Sequence, residues 1–243
     1  MPALILITRP VDAAKAFAAT VQAELGSGAD ICIAPILEIQ LLPDLPDLAP
    51  FPTLIFTSAH AVASFARATS ARGFTCYTVG RATAEKAMDC GLSPIVGPGT
   101  GLDLAKRIVR DAPATPCLHL RGDHVAFDIA KYLNSAGIDT DEATVYRQLS
   151  VPLPDAALTR IMQADAVIAP VFSPRSAQLL LDALPKGANL HVAAISDAAA
   201  GVFAPDDAVR IEVAQSPDRQ SMLACTATLW SRANRLEGRS SPQ

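Results

Sequence analysis

Hydrophobic positions along the chain follow two alternating periods. Leu4-Ile5-Leu6-Ile7 is an unbroken apolar run, as expected of a strand covered on both faces. Behind Pro10, a residue tolerated where a helix starts, Val11, Ala14, Phe17, Ala18, Val21 and Leu25 recur at helical spacing, and Gly26 ends the pattern. Ile31-Cys32-Ile33-Ala34-Pro35 returns to strand. The same grammar then repeats. Strands are predicted at 53–57, 76–79, 94–96, 117–120, 143–146, 166–169, 191–195 and 210–213. Helices are predicted over 59–72, 82–90, 101–110 and 125–136, with a last one over 217–235. About ten strands separated by helices predict an α/β chain built on parallel sheets.

Ten strands fit one large sheet or two smaller ones, and the punctuation of the chain favours two. Pro43, Pro46 and Pro50 follow Pro35 closely and alternate with Asp44 and Asp47, which is linker chemistry. Pro152 and Pro154 mark a second such place. Linkers at 38–49 and 147–151 predict a discontinuous first lobe, residues 1–37 with 152–243, and a second lobe, residues 50–146, inserted into it. An internal repeat supports this. Leu54–Val62 is similar to Val167–Ala177, Tyr77–Ala84 to Val192–Ala200, and Leu6–Pro10 to Leu118–Gly122. The tail Arg232–Gln243 is polar and is expected to lack order.

Composition narrows the function classes. Half of the 243 residues are hydrophobic and 18% are charged, enough apolar material for a core and too much for a disordered chain. A formal net charge of −4 argues against a broad nucleic-acid face, and 5% aromatics argue against base-stacking platforms. No apolar run reaches the roughly 18–20 residues that span a bilayer, and the N-terminus has no basic, signal-like region. Cys32, Cys76, Cys90, Cys117 and Cys225 are scattered and never form a CxxC pair, which fits buried thiols in a reducing cytoplasm. His60, His119, His124 and His191 lack metal-ligand spacing. Gly97-Pro98-Gly99-Thr100-Gly101 is glycine-rich but lacks the GK[ST] of a P-loop; GxGxxG after the first strand and GxSxG are also missing.

The chemistry concentrates where predicted strands end. In open parallel sheets ligands bind beyond the C-terminal strand ends. The residues there are Thr8, Arg9, Thr57, Ser58, Gly80, Arg81, Thr83, Arg121, Gly122, Ser173, Arg175, Ser196 and Asp197. Each precedes or opens a helix, whose free N–H groups and dipole favour an anion. Ser58, Thr83, Ser173 and Ser196 are equally of the type that caps a helix. Arginine outnumbers lysine 15 to 5, which suits bidentate carboxylate contacts and also fits a plain composition bias.

These segments, in this order, resemble the uroporphyrinogen-III synthase family. The carriers are Thr8-Arg9-Pro10; Pro35 with Glu38-Ile39; Leu54-Ile55-Phe56-Thr57-Ser58; Thr78-Val79-Gly80-Arg81-Ala82-Thr83-Ala84; Leu120-Arg121-Gly122; Gly137 ahead of Val145-Tyr146; Phe172-Ser173-Pro174; Ala194-Ile195-Ser196; and Ser216-Pro217 before Met222-Leu223. The resemblance implies two flavodoxin-like lobes, the second inserted into the first through a two-stranded linker. It implies a lyase, a cytoplasmic monomer without metal or organic cofactor, that cyclises hydroxymethylbilane and inverts ring D to give uroporphyrinogen III for haem. It further implies no membrane or nucleic-acid partner.

The resemblance also assigns residues. Tyr146 aligns with a tyrosine near the cleft and becomes the candidate catalytic group, able to assist the departing hydroxyl. Arg9, Thr57, Ser58, Gly80, Arg81, Thr83, Arg121, Gly122, Ser173 and Ser196 become candidate anchors for the substrate's carboxylates. Two departures from the family pattern stand out. Ser196-Asp197-Ala198-Ala199 replaces a segment that often carries threonines, and Ala126-Phe127 replaces a basic-acidic pair after Gly122. The first departure leaves room for a second reading, a non-catalytic two-lobed protein that binds an anionic metabolite. Under either reading the positive potential is local, made by helix N-termini and a few arginines, since the chain as a whole is acidic.

Overall fold

The computed structural model describes residues 3–237; the end of the tail, 238–243, lies outside the described residues. The elements in chain order are β1 (Leu4–Ile7), α1 (Val11–Leu25), β2 (Asp30–Ile33), β3 (Leu37–Leu41), β4 (Thr53–Phe56), α2 (Ala59–Ala68), β5 (Thr75–Thr78), α3 (Arg81–Asp89), β6 (Ser93–Val96) and α4 (Gly101–Asp111). They continue with β7 (Cys117–Gly122), α5 (Ile129–Ser135), β8 (Thr140–Ser150), α6 (Asp155–Gln163), β9 (Val167–Val171), α7 (Pro174–Ala183), β10 (Leu190–Ala194), α8 (Asp197–Ala200), β11 (Arg210–Val213) and α9 (Arg219–Glu237). The strands form two sheets, and the chain divides into two units. Unit 1 comprises the residues up to Glu38 and those from Ser150 onward; unit 2 is Ile39–Leu149.

Unit 1 is built on the sheet β11-β10-β9-β1-β2, in which every described pairing is parallel. The apolar run of β1 shows why it is unbroken. Leu4 and Leu6 point into one core with Val167, Ala169, Val171, Val192 and Leu180; Ile5 and Ile7 point into the other with Phe17, Val21, Met222 and Leu229. A central strand of a parallel sheet needs apolar side chains on both faces, because helices cover both. α6 and α7 supply one cover, through Ala157, Ile161, Ala177 and Leu180, and α1 and α9 the other.

Unit 2 carries the sheet β3-β8-β7-β4-β5-β6. Its strands β4, β5, β6, β7 and β8 are also paired in parallel. Leu54, Phe56, Leu118 and Leu120 face α2, where Phe65 meets Phe56 and Phe74 edge-on with ring centroids 5.8 and 6.1 Å apart. Ile55 and Cys117 face Leu104 and Ile108 of α4 and Ile129 and Leu133 of α5.

The two sheets share one arrangement threaded differently. Matching the repeated segments pairs β9 with β4, β10 with β5 and β1 with β7. Under that match β11-β10-β9-β1-β2 becomes β6-β5-β4-β7-β8, the neighbour order found in unit 2. With β3 left aside, the order is 2-1-3-4-5 in unit 1 and 3-2-1-4-5 in unit 2 when each is counted along the chain, so unit 1 is a circular permutation of those five strands of unit 2.

Several boundaries differ from the sequence expectation. β8 runs through to Ser150, so most of the 147–151 linker is strand, the form a two-stranded linker takes. β3 likewise occupies Leu37–Leu41 at the start of the 38–49 linker. There the alternation of Leu37, Ile39 and Leu41, three residues that turn inward, outweighs the prolines that follow. The pairing of β3 with β8 is flanked by bonds from Val151 N to Ile36 O (3.0 Å) and from Leu42 N to Val145 O (2.9 Å). α2 stops at Ala68 and α5 begins only at Ile129, each shorter than its periodicity predicts. Helix α9 extends to Glu237, so the first part of the tail expected to lack order is helical.

Phe65 is fully buried at the centre of an aromatic cluster with Phe56 and Phe74. Phe65→Ala is expected to cost about 3–5 kcal/mol of stability, read as a lower denaturation midpoint in urea at unchanged slope.

Candidate functional site

Parallel pairing brings the C-terminal ends of β4, β5 and β7 to one edge of unit 2, and those of β1, β9 and β10 to one edge of unit 1. The candidate residues divide between these edges.

In unit 2, Thr57 and Ser58 follow β4. Ser58 is the N-cap of α2 and accepts the N–H of His60 at 3.1 Å. Gly80 and Arg81 follow β5. Gly80 is the extended N-cap of α3 and brings no side-chain cap, so no hydroxyl covers the first N–H groups of that helix. Arg81 is its exposed first residue, and Thr83 is buried at its third position, 6% exposed. The loop from β6 to α4 packs under this end. Gly97 N and Gly99 N donate to Thr78 O and Val79 O, both at 2.7 Å. A Cβ on Gly97 would lie 2.6 Å from Thr78 O, which accounts for one glycine of the glycine-rich segment without any phosphate.

Tyr146 sits on β8 beside the end of β7. The register shifts between Arg121 and Gly122, so Gly122 is opposite Tyr146. The phenol lies directly on this glycine. A Cβ built on Gly122 would lie 2.5 Å from Cζ, 2.7 Å from Cε2 and 2.8 Å from the hydroxyl of Tyr146. The ring is buried, 5% exposed, and tilts against His60 with centroids 5.7 Å apart. Asp123 N donates to Tyr146 O at 3.1 Å, and Gln148 N to Asp123 Oδ1 at 3.1 Å, which ties the backbone on both sides of the contact.

Arg121 is already partly engaged within unit 2. Its guanidinium pairs with Glu142 on β8 and donates to Gly122 O at 2.9 Å. That carboxylate raises its pKa and already balances its charge. Arg121 therefore holds β7 to β8 rather than presenting a free cation.

In unit 1, Arg9 follows β1. Its guanidinium lies over the ring of Phe172, 3.9 Å from the centroid, and Phe172 meets Phe17 edge-on at 5.1 Å. Burial, then the charge of Arg219, lowers the pKa of Arg9, and no carboxylate among the described residues pairs with it. It remains a cation held by an aromatic face. Ser173 caps α7 in a capping box with Ser176, and Ser196 caps the short α8 through Ala199 N at 3.4 Å. The hydroxyl oxygens of Ser58, Ser173 and Ser196 thus serve their own helices. Asp197 is exposed in the first turn of α8.

Two neighbours escape a reading by strand ends. Phe172 is an apolar residue in a polar segment, and the Phe-Ser-Pro signal directed attention to its serine. His119 is the one polar side chain in Leu118-His119-Leu120, and it is 1% exposed. Its Nε2 lies 3.2 Å from Thr57 Oγ1. Desolvation, opposed by Glu142 and Asp128 and aided by Arg121, holds its pKa down to about 4. Among the described residues no group of three or more His, Cys, Asp or Glu is arranged to hold a metal, and no helix is long and apolar enough to cross a membrane.

Two outcomes are expected. Gly122→Ala drives a methyl into the Tyr146 ring and lowers stability by about 1–3 kcal/mol, measured by thermal or urea unfolding. The second concerns acid. The unfolded His119 imidazole takes a proton below its ordinary pKa of 6.5, whereas the folded one resists until about 4. Stability from this group is complete above pH 6.5 and falls by about 3 kcal/mol as pH drops towards 4. The difference between wild type and His119→Gln in urea melts across that window reads it; parallel curves would disprove it.

Comparison with known proteins gives these edges a context. Residues 18–224 match the family model of uroporphyrinogen-III synthase HemD. No curated protein matches the chain. Among solved structures, uroporphyrinogen-III synthetase from Helicobacter pylori is similar with a TM-score of 0.69 at 18% identity, over 94% of this chain and 100% of that one. A mutant uroporphyrinogen III synthase from the extremely thermophilic bacterium Thermus thermophilus is similar with a TM-score of 0.53 at 16% identity, over 96% and 99%. At these identities the structures speak for the α/β fold with its parallel sheets, while the family match covers most of the sequence, and the chain belongs to the uroporphyrinogen-III synthase family.

Proposed function

We propose that this chain, a lyase by family, closes hydroxymethylbilane to uroporphyrinogen III with Tyr146 assisting the leaving hydroxyl. The observation that carries the proposal is the seat of the phenol on Gly122, at the strand edge where ligands of open parallel sheets bind. The terminal hydroxyl of the linear tetrapyrrole takes a proton and leaves as water, and the C–O electron pair goes with it. The remaining azafulvene cation closes head-to-tail to the symmetric isomer if left alone. Attack from the substituted α-carbon of ring D gives a spiro intermediate instead, which fragments and recloses with that ring inverted.

Choosing between these closures is a task of orientation. Eight carboxylates give many handles. The anchors we assign are Arg9, Ser173 and Ser196, and Thr57, Ser58, Gly80, Arg81 and Thr83; the three serines also cap their own helices, so they rank behind the others. The uncapped start of α3 and the unpaired guanidinium of Arg9 support the assignment, since each offers donors to an anion. Gly122 contributes the space that seats the phenol. Arg121 stays among the proposed anchors with only part of its guanidinium engaged: Glu142 and Gly122 O take its terminal nitrogens, and its buried Nε has no partner among the described residues. The proposal takes the chain to act as a monomer in the cytoplasm.

The reaction is tested with hydroxymethylbilane and chromatographic separation of the oxidised products. The type III isomer is expected; type I alone would sink the proposal. Tyr146→Phe is expected to lower kcat about 10²-fold with little change in KM. An unchanged kcat removes the phenol from the mechanism.

A further inference from the structure

His119 is a buried titratable group that the mechanism above leaves unused, and its two ring nitrogens are in different positions. Nε2 lies 3.2 Å from Thr57 Oγ1. Nδ1 is buried and has no hydrogen-bond partner among the described residues. The ring is 1% exposed, and its low pKa keeps it neutral near pH 7. A neutral imidazole carries one proton, so one nitrogen donates and the other accepts.

The two tautomers have different consequences. With the proton on Nδ1, a donor is buried without an acceptor, and Nε2 must accept the hydroxyl hydrogen of Thr57. With the proton on Nε2, the nitrogen left over is an acceptor, and Nε2 donates to Thr57 Oγ1. Orphaned buried N–H groups are rarer in folded proteins than orphaned acceptors. We infer that His119 is a positioning residue: it is held as the Nε2–H tautomer, donates to Thr57 Oγ1, and so leaves the Thr57 hydroxyl hydrogen for an incoming acceptor, a carboxylate of the substrate. Thr57 is half-buried just beyond β4, and its hydroxyl makes no other hydrogen bond among the described residues. The opposite tautomer would hold that hydrogen inward and present only an oxygen lone pair, which repels a carboxylate. The tautomer follows from the geometry of His119 alone, whereas its use rests on Thr57 being an anchor.

Two measurements keep these parts distinct. Long-range 1H–15N correlation spectra of the 15N-histidine-labelled protein at pH 7 identify the tautomer. The Nε2–H pattern for His119 is expected, and the Nδ1–H pattern overturns the inference. Kinetics with hydroxymethylbilane read the role. Thr57→Val is expected to raise KM roughly ten-fold, the loss of one hydrogen bond to a charged group, with kcat little changed. His119→Leu is expected to raise KM comparably and to add little on the Thr57→Val background. His119→Gln, whose carboxamide N–H replaces Nε2–H, is expected to restore KM to within about two-fold of wild type. If Thr57→Val raises KM and His119→Leu does not, the positioning role is overturned. If Thr57→Val leaves KM unchanged, the anchor assignment fails and with it the role of His119, whatever the tautomer. Should His119→Leu fail to fold, a ten-fold KM in folded His119→Gln overturns the role just as clearly.

Discussion

Everything at the edge of unit 2 turns on the approach of one ring to one backbone. Tyr146 lies so close over Gly122 that no β-carbon fits between them. The shift in register between Arg121 and Gly122 sets that approach, since it places the glycine opposite the tyrosine. The residues around it then have fixed parts. Arg121 and Glu142 clamp β7 to β8 just before the shift, and the Asp123 bonds hold the backbone just after it. Looser strands would let the ring slide off the glycine.

The electrostatics of the candidate residues sort by whether a partner is already present. Arg121 is matched by a carboxylate, and the capping serines are matched by the N–H groups of their own helices. Arg9, resting on Phe172, and the uncapped start of α3 are the places where positive potential is left over. An acidic chain can therefore receive a polyanion, because net charge averages over surfaces that the ligand never meets.

Much of this was legible in the sequence. The unbroken run Leu4–Ile7 predicted a strand covered on both faces because side chains alternate and both faces are packed. The strand-end positions of Arg9, Thr57, Gly80 and Ser173 followed from the same periodicity. Other features were hidden for physical reasons. β3 was masked by prolines that lie just beyond it, and the length of β8 by polar residues on its exposed positions. Gly122 reads in the sequence as a candidate anchor at a strand end, and the room it leaves for the Tyr146 ring is visible only from the partner strand. The pairing of Arg121 with Glu142 joins residues on neighbouring strands, and no spacing along the chain announces it. The sequence shows of His119 only that it lacks metal-ligand spacing, because its partner, Thr57, is distant along the chain.

The permuted threading of unit 1 has a consequence in time. Strands β1 and β2 are made before unit 2, but β9, the other neighbour of β1, comes only after it. Closing a loop on the order of 100 residues costs roughly 4 kcal/mol of chain entropy before any contact across it forms. Unit 2 is contiguous and can assemble as soon as it emerges, shortening that loop. The inserted half then shortens the loop that the flanking half must close, so a lesion in the core of unit 2 would also delay closure of the sheet of unit 1 during synthesis.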